Sequence, residues 1–101
     1  MRHSFGKYIC RLADKDKKIF LLVGDIGYGI FDEFRKKHND RFLNLGICEQ
    51  SLIGTAAGMA LEGIKPWVYT ITPFLIERPF EQIKLDIDQQ KVNVNLVGFA
   101  D

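Results

Sequence analysis

The chain has 101 residues, of which 47% are apolar and 27% are charged, and its formal net charge is +1. This composition is typical of one folded globular domain and excludes a disordered or collagen-like chain. Because basic and acidic residues nearly balance, we expect no broad basic surface and no nucleic acid partner.

Helical and strand patterns alternate along the chain. Helices are predicted from about residue 5 to the lysine-rich turn at 15–18, and over 30–38, 49–61 and 79–90. Strands are predicted over 19–23, 42–45, 67–71 and 92–99, the first two being apolar enough to be buried, and 72–73 is read as a turn. This alternation predicts an α/β fold with a parallel sheet of about four strands and flanking helices.

The last predicted strand ends two residues before Asp101, where a parallel sheet normally continues into a covering helix. We therefore expect residues 1–101 to form a partial domain that is incomplete at the C-terminus.

Cysteine usage and the N-terminus favour a cytoplasmic location. Cys10 and Cys48 stand far apart, without metal-ligand spacing, and Cys10 is expected in a helix core. No signal peptide is recognisable, and no apolar run reaches the ~20 residues that span a bilayer. We expect no membrane partner and no metal site in this chain. His3 and His38 are expected to have surface roles.

Three predicted turns lie at the carboxyl ends of strands, where open parallel sheets bind ligands. They cover residues 24–29, 46–50 and 72–78. The first has neither the spacing of a dinucleotide-binding loop nor the lysine of a P-loop. Its segment Asp25-Ile26-Gly27-Tyr28-Gly29 resembles the Asp-x-Gly-x-Gly loop of S-adenosylmethionine-dependent methyltransferases, although a plain tight turn accounts for it as well.

The second turn leads into a helix that is rich in small residues. Glu49 is expected in the first turn of this helix, where the helix dipole favours a carboxylate. The helix face of Gly54, Ala57, Gly58 and Leu61 allows close backbone approach. It either packs onto the sheet or receives a helix from another domain or subunit.

Several segments together resemble the pyrimidine-binding domain of transketolase. They are Asp25, Arg41-Phe42-Leu43-Asn44-Leu45-Gly46-Ile47-Cys48-Glu49-Gln50, Gly54-Thr55-Ala56-Ala57-Gly58-Met59-Ala60 with Gly63 and Pro66, and Phe74-Leu75-Ile76-Glu77-Arg78-Pro79-Phe80-Glu81-Gln82-Ile83. The pattern is shared with deoxyxylulose-phosphate synthases and, more loosely, with beta subunits of pyruvate dehydrogenase-type enzymes. The resemblance implies a thiamine diphosphate-binding fold, of which this chain is the pyrimidine module.

The resemblance also implies roles for individual residues. Glu49 matches the glutamate that bonds the aminopyrimidine ring and activates the cofactor for two-carbon ketol transfer between sugars. Phe74 matches the aromatic residue that stacks on the ring, and Ile26 falls where an apolar residue props the bent cofactor. Asp25 lies beside it and faces the active site, and Arg78 matches the arginine of the last segment. Both Asp25 and Arg78 are therefore expected, like Phe74 and Ile26, to be cofactor-binding residues.

Two departures from the family pattern concern this last segment. The spacing from Phe74 to Arg78 is one residue longer than is common, so Phe74 and Leu75 compete for the stacking position. Arg78 is followed by Pro79, where the family usually has alanine.

The resemblance further implies that a separate domain or subunit binds the diphosphate and Mg²⁺. Met1 stands near the domain start, which favours a separately encoded subunit of a homo- or hetero-oligomer acting on a phosphorylated sugar. We expect the chain alone to be catalytically silent. The alternatives are a methyltransferase-like domain and a non-catalytic interaction subunit that keeps the fold but has lost the cofactor.

Overall fold

The computed structural model describes residues 1–100, and Asp101 lies outside the described residues. The strands are β1 (Ile19–Val23), β2 (Phe42–Asn44), β3 (Lys65–Ile71) and β4 (Asn95–Phe99). The helices are α1 (Arg2–Lys15), α2 (Asp32–Lys37), α3 (Glu49–Leu61), α4 (Thr72–Ile76) and α5 (Phe80–Gln82). A 3₁₀ turn over Asn39–Arg41 precedes β2, and a π-helical segment, Ile83–Asp88, follows α5.

The four strands form one parallel sheet in the order β2-β1-β3-β4, which confirms the predicted fold class. Leu21 of β1 lies between Phe42 of β2 and Trp67 of β3. Because the strands are parallel and helical segments connect them, their carboxyl ends meet at one edge of the sheet. We call this the carboxyl edge, and the opposite one the amino edge.

Each face of the sheet carries its own apolar core. On the α1 and α2 face the core is largely aromatic, with the rings of Phe31 and Tyr69 edge to face at a centroid distance of 4.9 Å. On the other face α3 packs aliphatic side chains onto β1 and β3, with Leu52 and Ile53 fully buried. Cys10 is buried in the first core, as predicted. These two cores fix the strand ends that carry the candidate site residues.

The predicted turn at Thr72-Pro73 is wrong, because this segment opens helix α4. Proline fits the first turn of a helix, where its missing N–H has no intrahelical acceptor anyway. The predicted helix over 79–90 is α-helical only over Phe80–Gln82 and then continues as the π-helical segment.

Two strand predictions also need correction. β2 was expected to be buried, but Leu43 and Asn44 are exposed because β2 is an edge strand with a single neighbour, β1. β4 begins at Asn95 rather than at residue 92, and its pairing with β3 starts at Trp67 opposite Asn95.

Among the described residues, no helix has the length and apolar character needed to cross a bilayer.

Candidate functional site

Glu49 is a buried carboxylate at the carboxyl edge. The chain leaves β2, turns through Gly46 at a φ of 79°, and enters α3 with Glu49 as its first residue. The side chain is only 5% exposed, so its charge needs a compensating partner. The N-terminus of α3 supplies part of that compensation, since its unpaired N–H groups favour negative charge.

Arg78 is the ion-pair partner of this carboxylate. Its Nη1 donates a hydrogen bond to Glu49 Oε1 at 3.3 Å. The same guanidinium lies over the ring of Phe74, with its central carbon 3.7 Å from the ring centroid. Side-chain exposure of Arg78 is 48%, so one face of the pair is open to solvent. Glu49, Arg78 and Phe74 therefore form one contiguous group, which we call the Glu49 cluster.

Of the two candidates for the stacking position, only Phe74 reaches this group. Leu75 is 2% exposed and lies in the aliphatic core with Leu22 and Leu52. Helix α4 turns the two neighbouring side chains to different sides, one into the core and the other toward Arg78. The Glu49 cluster borders an open depression lined by Ile47, Cys48, Glu49, Gln50 and Arg78.

Asp25 lies in the neighbouring loop at the same edge, in a left-handed conformation with φ 56°. Its backbone N–H donates to Asn44 Oδ1 at 2.9 Å, and its carboxylate accepts a hydrogen bond from Tyr28 Oη at 2.6 Å. This bond to Asp25 raises the pKa of the Tyr28 phenol. Among the described residues, no hydrogen bond or ion pair joins Asp25 to Glu49.

Asn44 ties the two loops together, and sequence reasoning gave it no role. Its Oδ1 accepts from the backbone N–H of Asp25 and also from that of Gly46, at 3.0 Å. One amide oxygen thus fixes both the loop that carries Asp25 and the turn that leads to Glu49. An exposed polar residue at the end of an edge strand is the only sequence signal that could have suggested it.

Ile26 is half-buried and packs against the aromatic core. It lines a separate depression, of about 190 Å³, together with Tyr28, Arg35, Phe42 and Asn44. The structure therefore places Ile26 at the predicted edge of the sheet but in a different depression from Glu49.

Possible metal ligands come together at the amino edge instead. In residues 1–100 the one group of three candidate ligands is Cys10, Asp14 and His38. Both ring nitrogens of His38 already form hydrogen bonds within the protein. Arg41 donates to Nδ1 at 2.6 Å, so Nε2 carries the proton and donates to Asp14 at 2.7 Å. The prediction of a surface role is thus wrong for His38, whose side chain is only 14% exposed. Its partner Asp14 stands 24 residues away in sequence, whereas Arg41 stands three residues away.

The small residues of α3 do not all face the sheet. Ala57 is 4% exposed, whereas Gly58 is exposed and a methyl group added to it would meet no atom within 4 Å. Leu61, one turn further along, is also exposed. This part of the helix is exposed rather than packed onto the sheet.

Comparisons with known proteins give a consistent family. Residues 1–101 match the family model described as the transketolase, pyrimidine binding domain. The 1-deoxy-D-xylulose-5-phosphate synthase of Nitratidesulfovibrio vulgaris is 41% identical over 93 residues, covering 91% of this chain and 14% of that protein. An uncharacterised 33.6 kDa protein of the fasciation locus of Rhodococcoides fascians is 38% identical over 97 residues, covering 96% of this chain and 31% of that protein.

A solved structure has the same fold. It is described as a split-gene transketolase, an inactive beta4 tetramer, and matches with a TM-score of 0.88 and 35% identity. The match covers 96% of this chain and 33% of that one. The chain thus spans a third or less of the length of each of these relatives.

Proposed function

Because the chain belongs to the transketolase pyrimidine-binding domain family of thiamine diphosphate-dependent enzymes, we propose that Glu49 binds and activates the aminopyrimidine ring of that cofactor. The observation that carries this proposal is the arrangement of the three residues in the Glu49 cluster. A buried carboxylate faces a flat, hydrogen-bonding group that is stacked on an aromatic ring. An aminopyrimidine is also flat and offers nitrogen atoms for hydrogen bonds, so the residues present fit it.

Each residue of this chain has a limited task in the proposed reaction. When bound, thiamine diphosphate supplies the reactive carbon for two-carbon ketol transfer between phosphorylated sugars. Glu49 holds a proton at the ring nitrogen, and its burial excludes water that would compete for that bond. Phe74 provides the stacking surface. Ile26 and Asp25 lie in the neighbouring loop, where Ile26 supports the cofactor and Asp25 faces the active site.

A partner domain or subunit is proposed to bind the diphosphate and Mg²⁺. Within residues 1–100 the carboxyl edge holds no group of three metal-ligating side chains. Apolar side chains are instead exposed beside the Glu49 cluster, with Ile47 70% and Phe80 64% exposed. These side chains, and separately the open helix surface at Gly58, are the surfaces that we propose a second domain covers in a homo- or hetero-oligomer.

The test is an activity assay on the protein that carries this domain, assembled with its diphosphate-binding partner, thiamine diphosphate and Mg²⁺. Replacing Glu49→Gln keeps the side-chain shape but removes the ionisable oxygen, so two-carbon transfer should fall by about 10²–10⁴-fold. Glu62→Gln is the matched control, because Glu62 is an exposed glutamate at the other end of α3. The chain without its partner should show no transfer.

An unchanged rate in the Glu49→Gln assembly would contradict the proposal and support the interaction-subunit alternative. The methyltransferase alternative requires S-adenosylmethionine binding that depends on Asp25 and Gly27. The family match favours the thiamine diphosphate interpretation. The left-handed conformation of Asp25 and the φ of 91° at Gly27 account for this loop as a tight turn.

A further inference from the structure

We propose that Arg78 occupies the aminopyrimidine position in the cofactor-free protein and must leave it before the cofactor ring binds. This inference rests on the function proposed above for Glu49 and Phe74. It assigns Arg78 a role that is opposite to that of a residue holding the cofactor, because here its side chain competes with the ring.

The geometry of Arg78 is the geometry expected of the ring. A guanidinium is planar, delocalised and rich in N–H donors. Its carbon lies 3.7 Å from the Phe74 centroid, a stacking distance, while its Nη1 donates to Glu49 Oε1 at 3.3 Å. These are the two contacts proposed for the aminopyrimidine, with the same aromatic ring and the same carboxylate. Two planar groups cannot occupy that space together.

A physical reason for this arrangement lies in the burial of Glu49. A buried carboxylate without a partner is costly, so the cofactor-free protein needs a cation or a hydrogen-bond donor at this point. Arg78 supplies both and is supplied by the short link between α4 and α5. Binding of the ring then replaces the arginine N–H with a proton shared between Glu49 and a ring nitrogen, and Glu49 is bonded in both states.

Arg78 can leave without disturbing the fold. About half of its side chain is exposed, and its guanidinium makes no other hydrogen bond among the described residues. Its backbone carbonyl accepts a long hydrogen bond from Gln50 Nε2 at 3.5 Å, which does not involve the side chain. A rotation of the side chain into solvent therefore frees the face of Phe74 while the backbone stays in place.

The experiment measures the affinity for thiamine diphosphate, with Mg²⁺, of the assembled enzyme by calorimetry. Arg78→Met removes the stacked ion pair from the cofactor-free state only, so the affinity should rise by about five- to thirty-fold. Arg2→Met is the matched control, since Arg2 also lies over an aromatic ring, that of Phe99 at 5.5 Å, and should leave the affinity unchanged. Equal or weaker binding in Arg78→Met would overturn the inference.

A second measurement on the wild-type assembly does not depend on any variant folding. The Nε–H signal of Arg78 in the cofactor-free state should show the ring-current shift of a proton beside Phe74. Adding thiamine diphosphate should remove that shift. A shift that persists in the fully bound protein would overturn the inference.

The outcomes separate this inference from the proposed function. Wild-type binding that weakens in both Glu49→Ala and Arg78→Met would leave the pyrimidine site in place and remove only the competing role of Arg78. Absence of wild-type binding would overturn both proposals.

Discussion

Charged residues lie at both edges of the sheet, but they are partnered in different ways. At the amino edge, the Arg41 guanidinium donates to the carbonyl oxygens of Ala13, Asp16 and Ile19 at 2.8–3.3 Å and also to His38. At the carboxyl edge, Glu49 is nearly buried and has one side-chain partner, Arg78, at 3.3 Å.

This difference separates a structural network from a candidate site. The amino-edge bonds connect the end of α1, the start of β1 and the segment before β2. Their donors and acceptors all belong to the chain itself. The carboxyl-edge pair uses a half-exposed side chain to cover a buried charge. Closely knit polar networks stabilise a fold, whereas a buried group with a replaceable partner is suited to binding.

The largest expected effect on stability comes from distorting the loop beside the Glu49 cluster. In Gly27→Ala the new methyl group would lie 2.6 Å from Cε2 of the buried Phe31 ring, at a φ of 91°. Such a residue is both overpacked and strained, so the free energy of unfolding should fall by about 2–4 kcal/mol. Urea unfolding measures this change.

Gly29→Ala is the control for backbone strain alone. Gly29 has a φ of 81°, but a methyl group there would meet no atom within 4 Å. Its cost should be about 1–2 kcal/mol. Equal losses in the two variants would show that Phe31 yields to the added methyl group and that the loop is less constrained than its packing indicates.

A slightly smaller effect is expected at the amino edge. Arg41→Met keeps an apolar stem but leaves three carbonyl oxygens without their charged donor, so the protein should lose about 2–3 kcal/mol of stability. Arg41→Lys should recover only part of this loss, because an ammonium group cannot reproduce the planar fork. Thermal and urea unfolding would test both variants, and a neutral Arg41→Met would contradict the structural role of this edge.

The smallest effect is a pH dependence at the same edge. A hydrogen bond from His38 lowers the pKa of Asp14 below its ordinary value of 3.8. Because the pKa of Asp14 is lower in the folded protein than in the unfolded chain, this bond stabilises the folded protein above pH 3.8. The contribution is lost as the pH falls through the folded-state pKa of Asp14. Asp14→Asn should therefore flatten the acid side of the stability profile.

Urea unfolding between about pH 6 and pH 2 measures this slope, because protonation of a normal aspartate falls within that range. Asp40→Asn, which removes an exposed carboxylate from the 3₁₀ turn, is the control. An Asp14→Asn profile as steep as the wild-type one would contradict the assignment.

Local patterns were enough to predict the elements that hold the site. The bounds of β1 and α3 were predicted correctly, because a continuous apolar run and a long helical segment are properties of neighbouring residues. The position of Glu49 at the start of α3 followed from the same reasoning. Helix α4 was missed because the Thr72-Pro73 pair is compatible with both a turn and a helix start.

Contacts between distant residues could not be predicted in the same way. The stacking of Arg78 on Phe74 depends on the turn between α4 and α5, and its bond to Glu49 spans 29 residues. The bond of His38 to Asp14 spans 24 residues. The double use of Asn44 Oδ1 depends on how two loops meet beyond the ends of β1 and β2. Such arrangements follow from tertiary packing rather than from spacing in the sequence.

We propose that the carboxyl edge binds the cofactor, whereas the amino edge only stabilises the fold. A calorimetric titration of thiamine diphosphate with Mg²⁺ into the assembled enzyme tests it most directly, with Glu49→Ala and Arg41→Met compared with the wild type. Binding of the cofactor should be clearly weaker in Glu49→Ala, and its affinity should be unchanged in folded Arg41→Met. Equal binding by wild type and Glu49→Ala would contradict the claim, because Glu49 would then not contact the ring.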